Sequence, residues 1–452
     1  MYVEQIYTGC LAQASYYIES NGEAVIVDPI RDSAGYIQLL ETRNAKLKYI
    51  LETHFHADFV SGHLELDRLT EAKIVFGPSA ETSYDIINCT HEQEFIFGNL
   101  KIRALHTPGH TLESVSYLLL SSDNSPEAVF TGDTLFVGEV GRPDLVVNSD
   151  LKAEYLAGLL YDSLNNVLMK LPESVIVYPG HGAGSACGKN ISTERLSTIG
   201  EQKKMNYALQ KMSKSQFINL VLEGILPPPQ YFPHDVLLNK EGYEPTSFIL
   251  KKSLKKLSNE KIQSFIDNGA VVLDVRMPSD FERGFIPNAI NIGKTGMFAP
   301  WVGSIISPES DIILVCYSQE EEEVISRLAR IGYHKVIGYT YGISDWQSAN
   351  YDIDSICSLH PTQNMFIDNN NKKIIDVRNK SELVLGFVEH SIHIPLNNLL
   401  KSLDQINQSD DYLIYCAGGY RSMIACSILK SKGYKNVQNI YGGFSEISKN
   451  LE

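Results

Sequence analysis

The second half of this chain repeats itself. Val271-Val272-Leu273-Asp274-Val275-Arg276 returns 102 positions later as Lys373-Ile374-Ile375-Asp376-Val377-Arg378. Ile331-Gly332-Tyr333 returns as Lys432-Gly433-Tyr434, and Tyr341-Gly342-Ile343-Ser344 as Gly442-Gly443-Phe444-Ser445, each 101 positions on. The unit is therefore about 100 residues long, an ordinary domain size. Each copy carries an apolar strand-like run (311–315 and 412–415) followed by a helix-like stretch (324–330 and 422–429). Such alternation predicts a parallel sheet with helices outside it.

With 452 residues the chain has room for two to four domains. Pro227-Pro228-Pro229 opens a stretch reaching Pro245 that reads as a stiff, extended connector, with Pro233, Gly242 and Pro245 arguing against a helix. The expected division is a first domain over 1–226, a linker over 227–245, and the two copies over 246–355 and 356–452. A formal charge of −15 offers no basic surplus to neutralise phosphates, which argues against a nucleic-acid partner. No apolar run is long enough for a membrane span, and the first residues lack a basic segment leading into an apolar one. Seven scattered cysteines suit a reducing cytoplasm better than a disulfide framework.

Residues 1–205 read as short strands separated by loops rich in His and Gly. Asn21-Gly22 between two alternating runs is a hairpin signal. Strand candidates lie at 73–76, 102–105, 115–118, 128–130 and 175–178, several running into Gly, His or Asp. Rigid strands then present polar chemistry on their end loops. Four such segments stand out. Thr53-His54-Phe55-His56-Ala57-Asp58-Phe59 follows an apolar run. His106-Thr107-Pro108-Gly109-His110 comes next, then Thr131-Gly132-Asp133, then Pro179-Gly180-His181. Imidazoles and carboxylates in such clusters are metal ligands.

These four segments, in this order, resemble those of the metallo-β-lactamase superfamily, which implies an α/β fold, an αβ/βα sandwich with metal between its sheets. The first segment departs from the two-metal pattern His-x-His-x-Asp-His because Phe59 stands where the last His belongs. The remaining pattern is similar to that of the persulfide dioxygenase branch, which implies one non-haem Fe(II) per chain held by His54, His110 and Asp133. His56, Asp58 and His181 would then stand behind the ligands and orient them. By the same resemblance Arg142, in Gly141-Arg142-Pro143-Asp144, would bind the acid group of a thiol substrate; a salt bridge to Asp144 is the other reading. Tyr178 would hydrogen-bond substrate or lie in the core. Cys187, in a Gly-rich loop with Lys189 two residues on, would be a low-pKa sulfur carrier or an inert loop thiol.

Cys416-Ala417-Gly418-Gly419-Tyr420-Arg421-Ser422 lies between a strand and a helix. Two glycines permit a turn whose N–H groups converge on an anion at a helix N-terminus, and Arg421 adds positive charge. The segment resembles the sulfur-transfer loop of rhodaneses, with Cys416 as nucleophile and Cys426 in the core of the following helix. The first copy departs from it. Cys316 is followed by Tyr317, Ser318, Gln319 and four glutamates, with no Gly pair and no Arg. Sequence offsets place Cys316 opposite Cys416 or one position away, and this copy reads as a degenerate rhodanese that serves as a spacer or docking surface.

The order of domains is similar to that of bacterial persulfide dioxygenase–sulfurtransferases of sulfide detoxification. That implies oxidation of a low-molecular-weight thiol persulfide by O2 to sulfite and thiol, then transfer of sulfur from Cys416 to sulfite to give thiosulfate. It also implies a cytoplasmic homo-oligomer, dimer or tetramer, with no nucleic-acid or membrane partner. Two alternatives stand beside it: a hydroxyacylglutathione-type metallohydrolase with accessory rhodanese domains, and a sulfur-relay binding protein.

Overall fold

The hairpin forms at Asn21 and Gly22, both with positive φ (49° and 76°), so the strands Gln13–Ser20 and Glu23–Val27 pair antiparallel with Ser20 opposite Glu23. The structure is a computed structural model that describes residues 1–145, 151–225, 227–362 and 372–451. Two units are separable: Met1–Phe248 with Ser326–Tyr333, and Ile249–Ile325 with His334–Glu452.

In the first unit, Tyr2–Thr8, Gln13–Ser20, Glu23–Val27, Lys46–Leu51, Lys73–Phe76 and Ile87–Asn88 make one six-stranded sheet in chain order. A second runs Ser197–Thr198, Ile176–Pro179, Pro126–Gly132, Val115–Leu120, Leu100–His106, Glu94–Phe97. The two sheets face each other across a core that includes Tyr16, Val25 and Leu51 from one and Phe97, Tyr117 and Phe130 from the other. The other face of the second sheet is covered by Ala153–Asn166 and Lys214–Leu222, whose Leu160, Leu164 and Phe217 meet Val129 and Val177. Strands buried on both faces lose the alternating pattern, as Val115–Leu120 does with every residue buried.

The stretch expected to be an extended connector contains a helix, Phe232–Glu241. Pro233 sits in its first turn, where the missing N–H has no intrahelical partner to lose, and Gly242 ends it at φ 93°. Proline breaks a helix in its interior but is compatible with its first turn, which is where Pro233 stands.

The second unit holds two all-parallel sheets. The first copy orders its strands Ile290–Asn291, Val271–Asp274, Ile312–Cys316, Val336–Tyr341. The second orders them Cys357–Leu359, Val437–Ile440, Asp411–Tyr415, Lys372–Asp376, Ile392–His393. The repeat is physical as well as textual. Arg276 forks onto Asp274 and donates to Gly284 O at 3.0 Å, and Arg378 forks onto Asp376 and donates to Gly386 O at 2.9 Å. Strand register also settles the alignment of the cysteines. Asp274 pairs with Val315, and Asp376 with Tyr415, so Cys316 and Cys416 occupy the same place in their copies. Among the described residues no helix is long and apolar enough to cross a membrane.

Candidate metal centre and sulfur-transfer loop

Adjacent strand ends carry the metal cluster. Asp28 ends Glu23–Val27 with φ 48°, and its carboxylate accepts from Thr53 N (2.7 Å) and Thr53 Oγ1 (2.8 Å) just beyond Lys46–Leu51. With its proton given to Asp28, the Thr53 hydroxyl accepts from His54 Nδ1 at 2.9 Å. His110 Nδ1 donates to Arg142 O at 2.8 Å. Both imidazoles thus present an unprotonated Nε2, the tautomer that a metal requires. These Nε2 atoms lie 3.8 and 3.5 Å from Asp133 Oδ2, and the three atoms are all within 4.8 Å of one another in a buried cluster.

Asp133 Oδ2 has no hydrogen-bond partner, a costly state for a buried carboxylate unless a cation completes it. Its other oxygen accepts from His181 Nδ1 at 2.7 Å, and His181 Nε2 donates to Asp58 Oδ2 at 2.8 Å. Burial and the neighbouring His56 push His54 well below the usual imidazole range, and burial lowers His110 too. Burial opposes ionisation of Asp133, but the charge and hydrogen bond of His181 overcome it and hold the carboxyl far below its usual range. Burial likewise opposes the charge on His181, yet Asp133 and Asp58 keep it protonated well above its usual range. Two neutral imidazoles and one carboxylate on one face are the donor set of a divalent ion such as Fe(II). Glycine is needed around it. A Cβ on Gly141 would stand 1.8 Å from Asp133 O, and one on Gly180 2.7 Å from Asp133 Oδ1.

His56 turns away from this cluster. Its Nε2 lies 3.1 Å from Asp28 Oδ1 and 3.3 Å from Glu52 Oε2, and its ring stacks on Phe59 at 4.3 Å. Phe59 is fully buried, so its substitution for His leaves an apolar wall. Three contributors escaped the sequence reading. Asp28 and Glu52 hold His56; Asn239, on the Phe232–Glu241 helix, donates to His56 O (2.8 Å) and Phe59 O (2.9 Å) and accepts from Ser61 N (2.9 Å). No motif marks an Asn 180 residues from the loop that it clamps.

Three expected roles meet different surroundings. Arg142, expected to receive a substrate acid group, forks onto Asp144 at 2.7 and 2.8 Å and donates to Ala186 O at 3.2 Å. Tyr178 packs between the sheets, stacked on Phe130 at 5.1 Å and tilted against Tyr16, because strand alternation turns it inward. Cys187 is buried, and burial with the carboxylates of Asp58 and Asp133 pushes its thiol well up. Lys189, expected to lower it, donates instead to Leu220 O and Glu223 O. Cys187 does lie with Asp58 and His181 in a second cluster of ligand atoms.

In the second copy, Cys416 ends its strand and Gly419, at φ 95°, opens the helix Tyr420–Ser431. Gly419 N donates to Cys416 Sγ at 3.1 Å, and Ser422 Oγ donates to the same sulfur at 3.6 Å. The loop is backed by a second glycine pair. A Cβ on Gly443 would come within 2.3 Å of Cys416 O, which accepts from Phe444 N at 2.7 Å. Arg421 forks onto Glu382 with both bonds at 2.6 Å, fixing its charge beside the loop. Cys426 is buried in the helix, as expected.

The first copy lacks the glycine pair and the arginine of that loop. Lys294 pairs with Glu320 (2.9 Å) and Glu323 (3.0 Å) where the nest would be, and burial together with Glu321 and Glu320 pushes Cys316 up to about 12. At pH 8 the thiolate fraction is on the order of 10⁻⁴. Cys316 is therefore expected to stay unmodified during iodoacetamide treatment of the folded protein while the exposed Cys357 is labelled, read by peptide mass spectrometry.

Comparison with known proteins agrees with this architecture. The family model of the metallo-beta-lactamase superfamily matches residues 8–84, and that of the rhodanese-like domain matches 238–349 and 361–450. The chain is 33% identical to a probable hydroxyacylglutathione hydrolase of Schizosaccharomyces pombe, over 40% of this chain and 75% of that protein. It is 28% identical to the mitochondrial persulfide dioxygenase ETHE1 of Mus musculus, over 46% of this chain and 74% of that protein. It spans only 62% and 60% of two further hydroxyacylglutathione hydrolases. A crystal structure of a metallo-beta-lactamase from Staphylococcus aureus superposes with a TM-score of 0.65 at 29% identity, covering 75% of this chain and 98% of that one. The chain belongs to the metallo-β-lactamase superfamily and carries rhodanese-like domains on the same polypeptide.

Proposed function

We propose that the chain oxidises a low-molecular-weight thiol persulfide with O2 at one Fe(II) held by His54, His110 and Asp133. The balance is R–S–SH + O2 + H2O → R–SH + SO3²⁻ + 2H⁺. The observation carrying this reading is the convergence of two Nε2 atoms and one unpartnered, buried carboxylate oxygen, with His56 held elsewhere by Asp28 and Glu52. A ferrous ion held by these three residues would supply the redox chemistry that activates O2 toward a sulfur substrate. The protein's part is positional. Thr53 and Arg142 O set the two imidazole tautomers, while His181 occupies the second oxygen of Asp133 and leaves Oδ2 free. Asn239 and Phe59 fix the motif loop from behind.

Sulfur transfer follows at Cys416. Its thiolate takes the outer sulfur of a second persulfide, R–S–SH + Cys–S⁻ → R–SH + Cys–S–S⁻. Sulfite then removes that sulfur as thiosulfate and restores the thiolate. Gly419 N–H and the fixed charge of Arg421 support the anionic sulfur. One polypeptide with both activities keeps sulfite near its acceptor.

The second reading, a two-metal thioester hydrolase, draws on the similarity to hydroxyacylglutathione hydrolases and on the cluster of Asp58, His181 and Cys187. Against it stand Phe59 and the clasp of His181 between two carboxylates. Metal analysis with an oxygen electrode separates the two. The expected result is iron near one per chain and persulfide-dependent oxygen uptake; two zinc ions per chain and thioester cleavage without oxygen uptake would overturn the dioxygenase reading.

A further inference from the structure

The helix Tyr420–Ser431 is buried at every position from Ser422 to Leu429. A helix buried all round is covered on both sides, and the second copy's own sheet covers one. Part of the other side is met by the first copy, within the same unit. Tyr420 Oη donates to Gly293 O at 2.8 Å, and the Tyr420 ring packs against Gly293. One stripe further along, Ser427 Oγ accepts from Asn291 N at 3.0 Å, and Lys430 Nζ pairs with Asp354 at 2.9 Å. Asn291 belongs to the first copy's edge strand, whose outward N–H would otherwise lack a partner.

The anchor on the first copy is rigid. Asn291 Nδ2 donates to Asp274 O (3.0 Å) and Arg276 O (3.1 Å), and Lys294 N donates to Val275 O (3.1 Å). Backbone carbonyls of the Asp274–Arg276 segment thus fix the strand end that meets the helix of the second copy. Tyr420 directly follows Gly419, whose N–H points at Cys416 Sγ. The register of the helix start on Gly293 is therefore passed across one peptide to the sulfur-transfer nest.

We infer that the degenerate first copy is the positioning scaffold of the sulfur-transfer loop, with Tyr420 as the positioning residue that reads its place from Gly293. This rests on the proposed sulfur transfer at Cys416. The test uses the full chain with thiosulfate and cyanide. Cys416 thiolate attacks the sulfane sulfur and sulfite leaves with the S–S electron pair; cyanide then takes the sulfur as thiocyanate and frees the thiolate. Tyr420→Phe keeps the ring and removes the donated hydrogen bond. Its kcat, normalised to the single-turnover thiocyanate burst that counts loaded Cys416, is expected to fall about fivefold, the worth of one hydrogen bond. KM for thiosulfate and the thermal midpoint stay as in the parent protein, a split that a general loss of structure does not produce. An unchanged normalised kcat overturns the inference, as does a fall that tracks a lowered midpoint. A parent protein that forms no thiocyanate sinks the transfer reading itself, and this inference with it.

Discussion

Asp133→Asn is expected to leave a folded protein that is nearly free of iron and has lost persulfide-dependent oxygen uptake by a factor of at least about 100, since even residues one step behind a metal ligand cost 10–100-fold. Asp133 does two jobs with two oxygens. Oδ2 faces the Nε2 atoms of His54 and His110, and Oδ1 accepts from His181. An amide keeps the shape but removes the charge, and its NH2 must face either a cation or the N–H of His181. Either way one buried donor is left against another donor or against positive charge. Iron content and oxygen-electrode rates on the purified variant decide the matter. Full iron with full oxygen uptake would sink the assignment of Asp133 as a ligand.

Cys416→Ser is expected to change the product rather than the oxygen consumption. Sulfite accumulates and thiosulfate formation falls by at least about 10³-fold, a modest figure beside the loss seen when a nucleophile is deleted from other enzymes. A serine hydroxyl in the nest still accepts from Gly419 N–H but carries no sulfane sulfur. The cluster of His54, His110 and Asp133 and the Cys416 loop belong to separate units of the chain, so oxygen uptake is expected to persist. Product analysis by ion chromatography reads both species from one reaction. Thiosulfate at the parent rate would assign transfer to some other thiol, and Cys187 would be the first to test because it lies beside Asp58 and His181.

The difference between the two cysteines of the repeat shows how far composition carries a chemical argument. Four glutamates after Cys316, against two glycines and an arginine after Cys416, set opposite expectations for the two thiols. In the structure both nearby cations are paired with glutamates, Lys294 with Glu320 and Glu323 and Arg421 with Glu382, and what sets Cys416 apart is the Gly419 N–H donated to its sulfur. Charge near a thiol is a local property, so nearest neighbours in sequence reveal it. Arg142, Tyr178 and Lys189 depend on longer range, and for Arg142 and Tyr178 both readings stood open in the sequence. Each sits near the right motif, but a long side chain is placed by what its far end meets, and those partners (Asp144, Phe130 and the carbonyls of Leu220 and Glu223) come from packing.

What the sequence by itself determined is therefore the set of groups bound by short range. The period of the repeat, the parallel α/β units, the sandwich strands, the hairpin at Asn21-Gly22, and the placing of His54, His110 and Asp133, and separately of Cys416, in loops after strands all follow from residue type and spacing. Only the tertiary structure decided which atoms of those residues stay free. His56 belongs to the same motif as His54 yet is bound by Asp28 and Glu52, and Asn239 clamps the loop from a helix that the prolines had seemed to forbid. The physical reason is that a buried polar atom must find a partner, and in a folded chain that partner is chosen by distance in space, which spacing along the sequence does not encode.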